Sequence, residues 1–257
     1  MKGFIKKKVY IKKIGDFEGY SAWYVNGYWI RNNLDPEFGN FGYSWYMHFI
    51  PKNEFWIDYE NGGEGEAQYY IDNFLTIQRE QKRGKNYKEA VKIANRLEKM
   101  ERGKSGFLKK IKKMKIKSNI LKKIYNKQLF TKYTKKLKIW LVHGDLVRSL
   151  FFIDYAQGGH EYVYNFIPKN EVWIDDDVYY KEIPYVLIHE LHERALMAKG
   201  WPYDPGGVGV FTRSGEFKGR SAHFNAESVE NKCRKNRKLI KKILLKEIES
   251  NEKLVKK

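Results

Sequence analysis

The stretch FIPKNEFWID at residues 49–58 recurs almost unchanged as FIPKNEVWID at residues 166–175. Nine of these ten positions are identical, and the offset of 117 residues also aligns earlier pairs without a gap: Val25 with Val142, Gly27 with Gly144, Arg31 with Arg148, and Gly42 with Gly159. After an insertion in the second copy, Ala90, Ala94 and Glu98 fall on Ala222, Ala226 and Glu230. Self-similarity of this kind identifies an internal repeat, with copies of roughly 80 to 90 residues.

Both copies predict the same order of strands. YVNGYWI and LVHGDLV place apolar residues around Asn26-Gly27 and His143-Gly144, which predicts a two-residue hairpin turn. SWYMHFI and HEYVYNFI are rich in aromatic and β-branched residues and predict a strand. A Pro-Lys-Asn turn and the strand FWID or VWID follow. Each repeat is therefore expected to begin as an antiparallel β-meander.

Two helices are predicted after the strands. Pro184 stands at a first helical turn, and apolar residues at helical spacing continue to an end near Gly200. A second helix is predicted to begin near Ser221 and to run toward the basic C-terminal end. We therefore expect an α+β fold of two tandem repeats, each a meander followed by two helices, joined by a basic helical linker.

The basic charge is concentrated in two segments. The formal charge is +19, and residues 103–138 hold fourteen Lys with no acid, while residues 231–257 hold eleven basic residues and three acids. This divides the chain into a first repeat at 1–102, a Lys-rich linker at 103–138, a second repeat at 139–230 and a basic helical extension at 231–257. Two interpretations are open for the basic segments: packed helices with a solvated Lys face, or non-specific attachment to nucleic acid or an anionic membrane surface.

Composition excludes several protein classes. Hydrophobic residues at 42 % and aromatic residues at 16 % are enough for a packed core, so a mainly disordered chain is excluded. No apolar run is long enough for a membrane span or a signal peptide, and we expect a cytoplasmic or virion-associated protein. Cys233 is the lone cysteine, which excludes a Cys-based zinc cluster within the chain. Without a neighbouring His in sequence, Cys233 is also a poor candidate for a nucleophile.

The histidines are distributed unequally between the copies. Five of the six lie in the second copy, and the sixth, His48, faces Asn165. By the same alignment the five are matched in the first copy by residues that do not keep their chemistry: His143 by Asn26, His160 by Tyr43, His189 by Asp72, His192 by Leu75, and His223 by Val91. The fold of the repeat therefore does not require these imidazoles, and the second copy carries a chemical role.

The segment IHELHERALM at residues 188–197 is the centre of the candidate site. His189 and Glu193 lie four residues apart and share one helix face, and His223 lies on the next predicted helix. Two facing helices that present imidazole and carboxylate groups can enclose a divalent cation, so we predict these three residues as metal ligands. Glu190 directly follows the first ligand and is the candidate catalytic base.

Other polar residues are weaker candidates. His143 is predicted as a turn residue, as Asn26 is in the first copy, and the run Asp175-Asp176-Asp177 is predicted as a charge cluster at a helix N-terminus. Four further residues are second choices for the site: His192, His160, Glu227 and Glu230.

Part of this pattern resembles the HExxH helix of zinc metallopeptidases, in which two His bind zinc and the Glu is the general base. In this chain a Glu stands at the second ligand position, so the motif reads HELHE. The second repeat also resembles an uncharacterised family associated with phage and microbial genomes, which carries GGH, IPKNEIWID, HELHER and YD-x-AH motifs. The chain carries them at residues 158–160, 167–175, 189–194 and, split by an insertion, 203–204 and 222–223. By analogy the resemblance implies a metal-dependent hydrolase.

Residues 205–220 form that insertion and include five glycines. Two interpretations are open: a solvent-exposed loop without a role, since surface insertions are tolerated, or a flap over a substrate beside His223.

These observations lead to two functional hypotheses. The first is a metal-dependent, metallopeptidase-like hydrolase with an unknown substrate, in which Zn²⁺, or alternatively Fe²⁺ or Mn²⁺, is held by His189, Glu193 and His223 and Glu190 activates a water. The second is a non-enzymatic protein of a virus or mobile element. In it a structural metal or a His/Glu network braces two helices and the Lys-rich segments bind nucleic acid.

Overall fold

A computed structural model of the protein describes residues 8–62, 65–104, 117–204, 209–211 and 217–255. The chain forms two compact units, each of which combines two stretches of sequence. The first contains Met1–Ile124 and Gly144–Ala156, and the second contains Tyr125–His143 and Gln157–Lys257. Among the described residues, no helix is both long and apolar enough to cross a membrane.

The first unit has one four-stranded sheet and five described helices. Its strands are ordered β1-β2-β4-β3 across the sheet. β1 and β2 are antiparallel, β2 and β4 are parallel, and β3 and β4 are antiparallel. The elements are β1 (Tyr10–Phe17), β2 (Tyr20–Val25), α1 (Gly27–Asn33), β3 (Phe41–Tyr43), β4 (Glu54–Asp58), α2 (Ala67–Lys82), α3 (Tyr87–Lys104), α4 (Lys117–Ile124) and α5 (Gly144–Leu150).

The core of the first unit lies between the sheet and α2. Phe55 and Ile57 of the central strand pack with Ile71 and Phe74 of the helix. The rings of Phe55 and Phe74 stack with centroids 4.6 Å apart. The apolar residues of the central strand thus cover one face of α2, on which apolar residues recur at helical spacing. Burial of such side chains is worth roughly 1.5–3 kcal/mol each.

The second unit repeats this plan. Its strands are ordered β5-β6-β8-β7, with β6 and β8 parallel and the other pairs antiparallel. The elements are β5 (Tyr125–Leu129), β6 (Lys138–Val142), β7 (Gly158–His160), β8 (Glu171–Asp175), α6 (Ile183–Met197), β9 (Gly209–Phe211), β10 (Phe217–Gly219), α7 (Ala222–Lys235), a 3₁₀ turn (Arg237–Leu239) and α8 (Ile240–Leu254). The predicted α+β class with two similar halves is confirmed.

Local signals place the two helices that matter for the site. Pro184 lies in the first turn of α6, where its missing N–H leaves no bond unmade. Gly200, with φ of 80°, follows the end of this helix in the left-handed conformation. Ser221 caps α7 by accepting a hydrogen bond from the Phe224 N–H at 3.1 Å. These helix positions agree with the sequence prediction.

The predicted hairpin turns are wrong. Asn26 is the N-cap of α1 and accepts a hydrogen bond from the Trp29 N–H at 2.8 Å, and α5 likewise begins at Gly144 directly after His143. Asn is favoured both in turns and at N-caps, and the apolar residues after it form the buried face of a helix. The hairpin of the first sheet instead turns at Glu18 and Gly19, which both have positive φ.

The meander is also wrong, because α1 and β3 lie between β2 and β4 along the chain and let these two strands run parallel. SWYMHFI and HEYVYNFI do not form long strands: after β3 and β7, of three residues each, the chain continues in turns. Met47 and Ile50 of the first of these segments are buried in the core. Their burial explains why the segment is apolar although it does not form a strand. Asp176 and Asp177 do not start a helix, since α6 begins at Ile183.

The range of the predicted basic linker, residues 103–138, contains elements of several types instead of a helix alone. Residues 105–116 lie outside the described residues, and the remainder of the range includes α4 and the strand β5. Lys138, at the end of the range, is the first residue of β6. The basic extension at 231–257 contains the end of α7 and the helix α8, separated by the turn at Arg237–Leu239.

Candidate metal centre

Three elements of the second unit carry the candidate site. α6 carries His189, Glu190 and Glu193, α7 carries His223, and the short strand β7 carries His160. α6 packs against β7 and β8 on one side and against α7 and α8 on others, so it is surrounded by protein. Its residues His189 and Glu193 are consequently buried, and their polar atoms need hydrogen-bond partners or a bound ion.

Three of the predicted ligands converge on one point. His223 Nδ1 lies 3.0 Å from Glu193 Oε2 and 3.1 Å from His189 Nε2, and His189 Nε2 lies 3.6 Å from Glu193 Oε2. Ligand atoms bound tetrahedrally to zinc at the usual bond lengths are about 3.3 Å apart. The three atoms therefore already stand at the mutual spacing of a metal coordination sphere.

A hydrogen bond on the side of the ring that faces away from the ligand cluster fixes the orientation of His189. Its Nδ1 lies 2.9 Å from Glu230 Oε2, a carboxylate that can only accept, so Nδ1 carries a proton and Nε2 faces the ligand cluster. Glu230 is held in turn by Arg234 Nε at 2.8 Å, and Arg234 also bonds Glu182. A carboxylate that orients a histidine in this way is the usual outer partner of a metal ligand.

His160 has a different role from His189. Its Nδ1 accepts a hydrogen bond from the Tyr162 N–H at 3.3 Å, so the proton of the neutral ring is on Nε2. That proton is donated to Glu193 Oε1 at 3.0 Å. His160 therefore holds Glu193 so that its other oxygen faces His189 and His223, and it acts as a positioning residue.

The electrostatics of the cluster favour a cation. Burial raises the pKa of Glu193, but hydrogen bonds from His160, His189 and His223 outweigh it and hold that pKa below its usual range. Burial lowers the pKa of His189, yet Glu193 and Glu230 outweigh it and raise that pKa well above its usual value. Positive charge is thus stabilised here, either as a proton on His189 Nε2 or as a divalent cation that displaces it.

Glu190 lies beside the ligands. A carboxylate oxygen of Glu190 is within 4.8 Å of ligand atoms of His160 and Glu193. Burial, and then the negative charge of Glu193, raise the pKa of Glu190 to about 7. Gly158 leaves room for it, because a Cβ at this position would lie 3.1 Å from Glu190 Cγ. A carboxyl group with a pKa near neutrality is suited to accept and return a proton.

Several other predicted residues lie elsewhere. His192 points to α8, where its Nδ1 is 3.1 Å from Glu247, and His143 Nδ1 is 2.7 Å from Asp176. Glu227 contacts Asn231 within α7 and does not join the groupings of ligand atoms found among the described residues. Asp175, Asp176 and Asp177 form an acidic grouping of their own at the end of β8.

The first unit provides an internal control. Asn73 Nδ2 donates to Glu98 Oε2 at 2.8 Å, as His189 bonds Glu230, and Arg102 bonds both Glu98 and Glu66, as Arg234 bonds Glu230 and Glu182. The counterpart of His189 is therefore Asn73, and that of His192 is Thr76. The predicted counterparts, Asp72 and Leu75, are wrong by one residue because the loop before the helix is one residue shorter in the second unit.

Comparison of the two units distinguishes the residues that stabilise the fold from the residues that belong to the candidate site. The buried Arg and its two carboxylates occur in both units, so they stabilise the fold in each. The candidate ligands and base occur in the second unit alone, where their first-unit counterparts are apolar, aromatic or amide side chains: Tyr43, Asn73, Phe74, Ile77 and Val91.

Two residues next to the candidate site were not predicted from the sequence. Arg234 supports Glu230, and the repetition of Glu and Arg four residues apart in α3 and α7 was the available signal. Tyr203 stacks on the ring of His223, with centroids 5.0 Å apart and 29° between planes. Cys233 is buried, and burial raises the pKa of its thiol to about 11, which leaves it unsuited to act as a nucleophile.

The insertion at 205–220 is described in part. Its strands β9 and β10 pair antiparallel, and β10 packs against α7, which carries His223. Residues 205–208 and 212–216 lie outside the described residues.

No family model matches the sequence, and no curated protein or solved structure shows significant similarity to it.

Proposed function

We propose that the protein is a metal-dependent hydrolase whose site lies in the second unit. The observation that carries the proposal is the convergence of His189 Nε2, His223 Nδ1 and Glu193 Oε2 within 3.6 Å of one another. These two imidazole nitrogens and one carboxylate oxygen would hold the ion, and three protein ligands are the number found in catalytic zinc sites.

The protein side chains have separate tasks in this proposal. Glu230 and His160 orient His189 and Glu193 before any ion arrives, which lowers the entropic cost of binding it. A bound divalent cation would acidify a water molecule and polarise the bond to be cleaved. Glu190 would accept a proton from the attacking water and return it to the leaving group, a role for which its raised pKa is appropriate.

The donor set restricts the metal without fixing it. Imidazole and carboxylate ligands suit Zn²⁺, and Fe²⁺ and Mn²⁺ bind similar sets. We propose Zn²⁺ as the first candidate because the ligand spacing fits tetrahedral geometry.

The test compares Glu190→Gln with Glu227→Gln, the same exchange on the neighbouring helix outside the ligand cluster. Both variants should bind about one metal per chain. Glu190→Gln should lower turnover by roughly 10²–10⁴-fold, because the amide cannot accept the proton. Peptide, ester and phosphodiester substrates with added Zn²⁺, Mn²⁺ or Fe²⁺ provide the assay. Absence of any turnover that Glu190→Gln removes would reject the hydrolase in favour of a structural metal site.

A second function, non-specific binding of nucleic acid, is favoured by one surface. Between residues 231 and 246 the chain has eight basic residues and no acid. Six of them are exposed lysines on α7, the following turn and α8: Lys232, Lys235, Lys238, Lys241, Lys242 and Lys246. We call this set the basic face. Lysine clusters of this kind attract phosphate backbones without reading bases.

A further inference from the structure

Glu193 directs its two carboxylate oxygens to different partners. Oε2 lies 3.0 Å from His223 Nδ1 and 3.6 Å from His189 Nε2, whereas Oε1 lies 3.0 Å from His160 Nε2. The metal position of the proposed function uses the Oε2 side alone. The Oε1 side is therefore a second place where a carboxylate oxygen and an imidazole nitrogen stand together.

A third ligand candidate lies beside this second pair. One carboxylate oxygen of Glu190, His160 Nε2 and one oxygen of Glu193 all lie within 4.8 Å of one another. Glu190 is half-buried, and among the described residues its carboxylate has no hydrogen-bond donor. Glu190 thus has oxygens that the fold does not use and that an ion can reach.

The charges around the two carboxylates favour a cation. Within the described part of the chain, the ion pairs of Glu193 are with His160, His189 and His223, and Glu190 has no ion pair. Arg234 is already paired with other carboxylates, those of Glu182 and Glu230. Two carboxylates this close repel each other, and a divalent cation between them would be attracted to both.

The first unit shows that the fold does not need polar groups at these positions. The counterparts of the three residues belong to the apolar core of that unit: Tyr43 for His160, Phe74 for Glu190 and Ile77 for Glu193. Placing an imidazole and two carboxylates where apolar and aromatic side chains suffice costs stability unless the groups are paired or bind an ion. The exchange therefore points to a ligand and not to packing.

An ion on this side would replace the proton between His160 and Glu193. Their N and O atoms lie 3.0 Å apart, close to the separation of about 3.3 Å between two ligands of one zinc ion, so a small displacement is enough. The ring of His160 would then carry its proton on Nδ1 and give up its contact with the Tyr162 N–H at 3.3 Å. Because this contact is lost, we expect the second ion to bind more weakly and to leave during dialysis that retains the first.

We propose that a second divalent cation binds between His160, Glu190 and Glu193, and that Glu193 bridges it to the ion of the proposed function. This inference extends that metal position and rests on it. Ions in two-metal sites are about 3.5–4 Å apart. The second ion would hold the carboxylate that accepts the proton in the proposed reaction, so excess metal is expected to inhibit that reaction.

Equilibrium dialysis of the full chain against Zn²⁺ tests the second position. The wild type should bind two ions per chain, the second at least tenfold more weakly than the first. Glu190→Gln should retain the tight ion and weaken the second at least tenfold, whereas Glu227→Gln, the same exchange outside the ligand cluster, should change neither. His160→Gln keeps an amide N–H for Glu193 and should also lose the weaker ion, with circular dichroism to confirm folding.

Electron paramagnetic resonance of the chain loaded with Mn²⁺ tests the bridge. One ion per chain should give the spectrum of an isolated Mn²⁺, and two ions should show magnetic coupling because Glu193 links them. A second ion that remains uncoupled, or that binds Glu190→Gln as tightly as the wild type, lies elsewhere and would overturn the proposal.

Failure of this inference and failure of the proposed function give different results. A wild type that binds one ion tightly and no second ion at submillimolar Zn²⁺ would reject the second position and leave the first in place. A wild type that binds no ion tightly would reject the metal centre itself, and the second position with it.

Discussion

His189 is bonded through Nδ1 to the buried carboxylate of Glu230 at 2.9 Å. In the first unit Asn73 and Glu98 occupy the same two positions and are bonded at 2.8 Å. The hydrogen bond is thus part of the fold, and the second unit differs in placing an imidazole on it. The free nitrogen of that imidazole reaches His223 and Glu193, which makes a structural bond into the support of a candidate metal ligand.

Glu230→Gln should lower the affinity for Zn²⁺ by roughly 10–100-fold, because an amide holds His189 Nδ1–H less strongly than a carboxylate does. The variant should stay folded, since Arg234 keeps its bond to Glu182. Glu98→Gln makes the same exchange in the first unit and should leave the affinity unchanged. Competition with a chromophoric zinc chelator measures both, and equal affinities in the two variants would argue against the role of Glu230.

His223→Ala should abolish binding of the divalent cation, because it removes one of the three converging ligand atoms. His192→Gln is the matched control, since His192 lies on α6 but contacts Glu247 on α8 instead of the cluster. Metal content after dialysis, measured on protein purified without a His tag, distinguishes them. Equal metal content in both variants would place the metal elsewhere.

The positions of the helices, and the shared face of His189 and Glu193, could be predicted from the sequence because they depend on local spacing. His189 and Glu193 are one helical turn apart, and Ser221 and Pro184 mark helix starts by well-understood preferences. The contribution of His160 could be proposed only as a second choice. It lies 33 residues from Glu193 and reaches it through the pairing of β7 with β8.

The incorrect predictions of the turns, the strand pairing and the repeat alignment also have specific causes. Asn26 favours a turn and a helix cap for the same reason, the ability of its side chain to accept a backbone N–H, so the following helix was not distinguished from a hairpin. The parallel pairing of β2 with β4 depends on where α1 carries the chain, which is tertiary information. The shift of one residue between the helices of the two units arises in a loop where few identities anchor the alignment.

Glu66 should make the stability of the first unit sensitive to acid. Burial raises its pKa, but the charges of Arg148 and Arg102 outweigh it and hold that pKa below the usual value of 4.5. A carboxyl with a lowered pKa in the folded state stabilises the protein above its unfolded pKa, and this stabilisation is lost as the pH falls through the folded pKa.

Glu66→Gln should therefore destabilise the protein by about 3–5 kcal/mol at neutral pH, since it leaves two buried guanidinium groups with less compensation. The difference from the wild type should shrink as the pH is lowered below the usual pKa of the carboxyl. Urea unfolding at several pH values measures it. Glu101→Gln, at an exposed residue paired with Lys104, should cost less than about 1 kcal/mol at every pH. A pH-independent cost of Glu66→Gln would contradict the argument.

The basic face should bind DNA or RNA with little sequence preference and a steep dependence on salt. Phosphate contacts release counterions, so the logarithm of the binding constant should fall linearly with the logarithm of the salt concentration. Replacing Lys238, Lys241 and Lys242 with Gln should weaken binding at low salt and reduce the slope by about 2–3. The same replacements at Lys88, Lys92 and Lys99, exposed on α3, have an equal effect on net charge. If both triple variants lose affinity equally, the attraction comes from net charge and not from the basic face, and salt-independent binding would exclude the electrostatic mechanism itself.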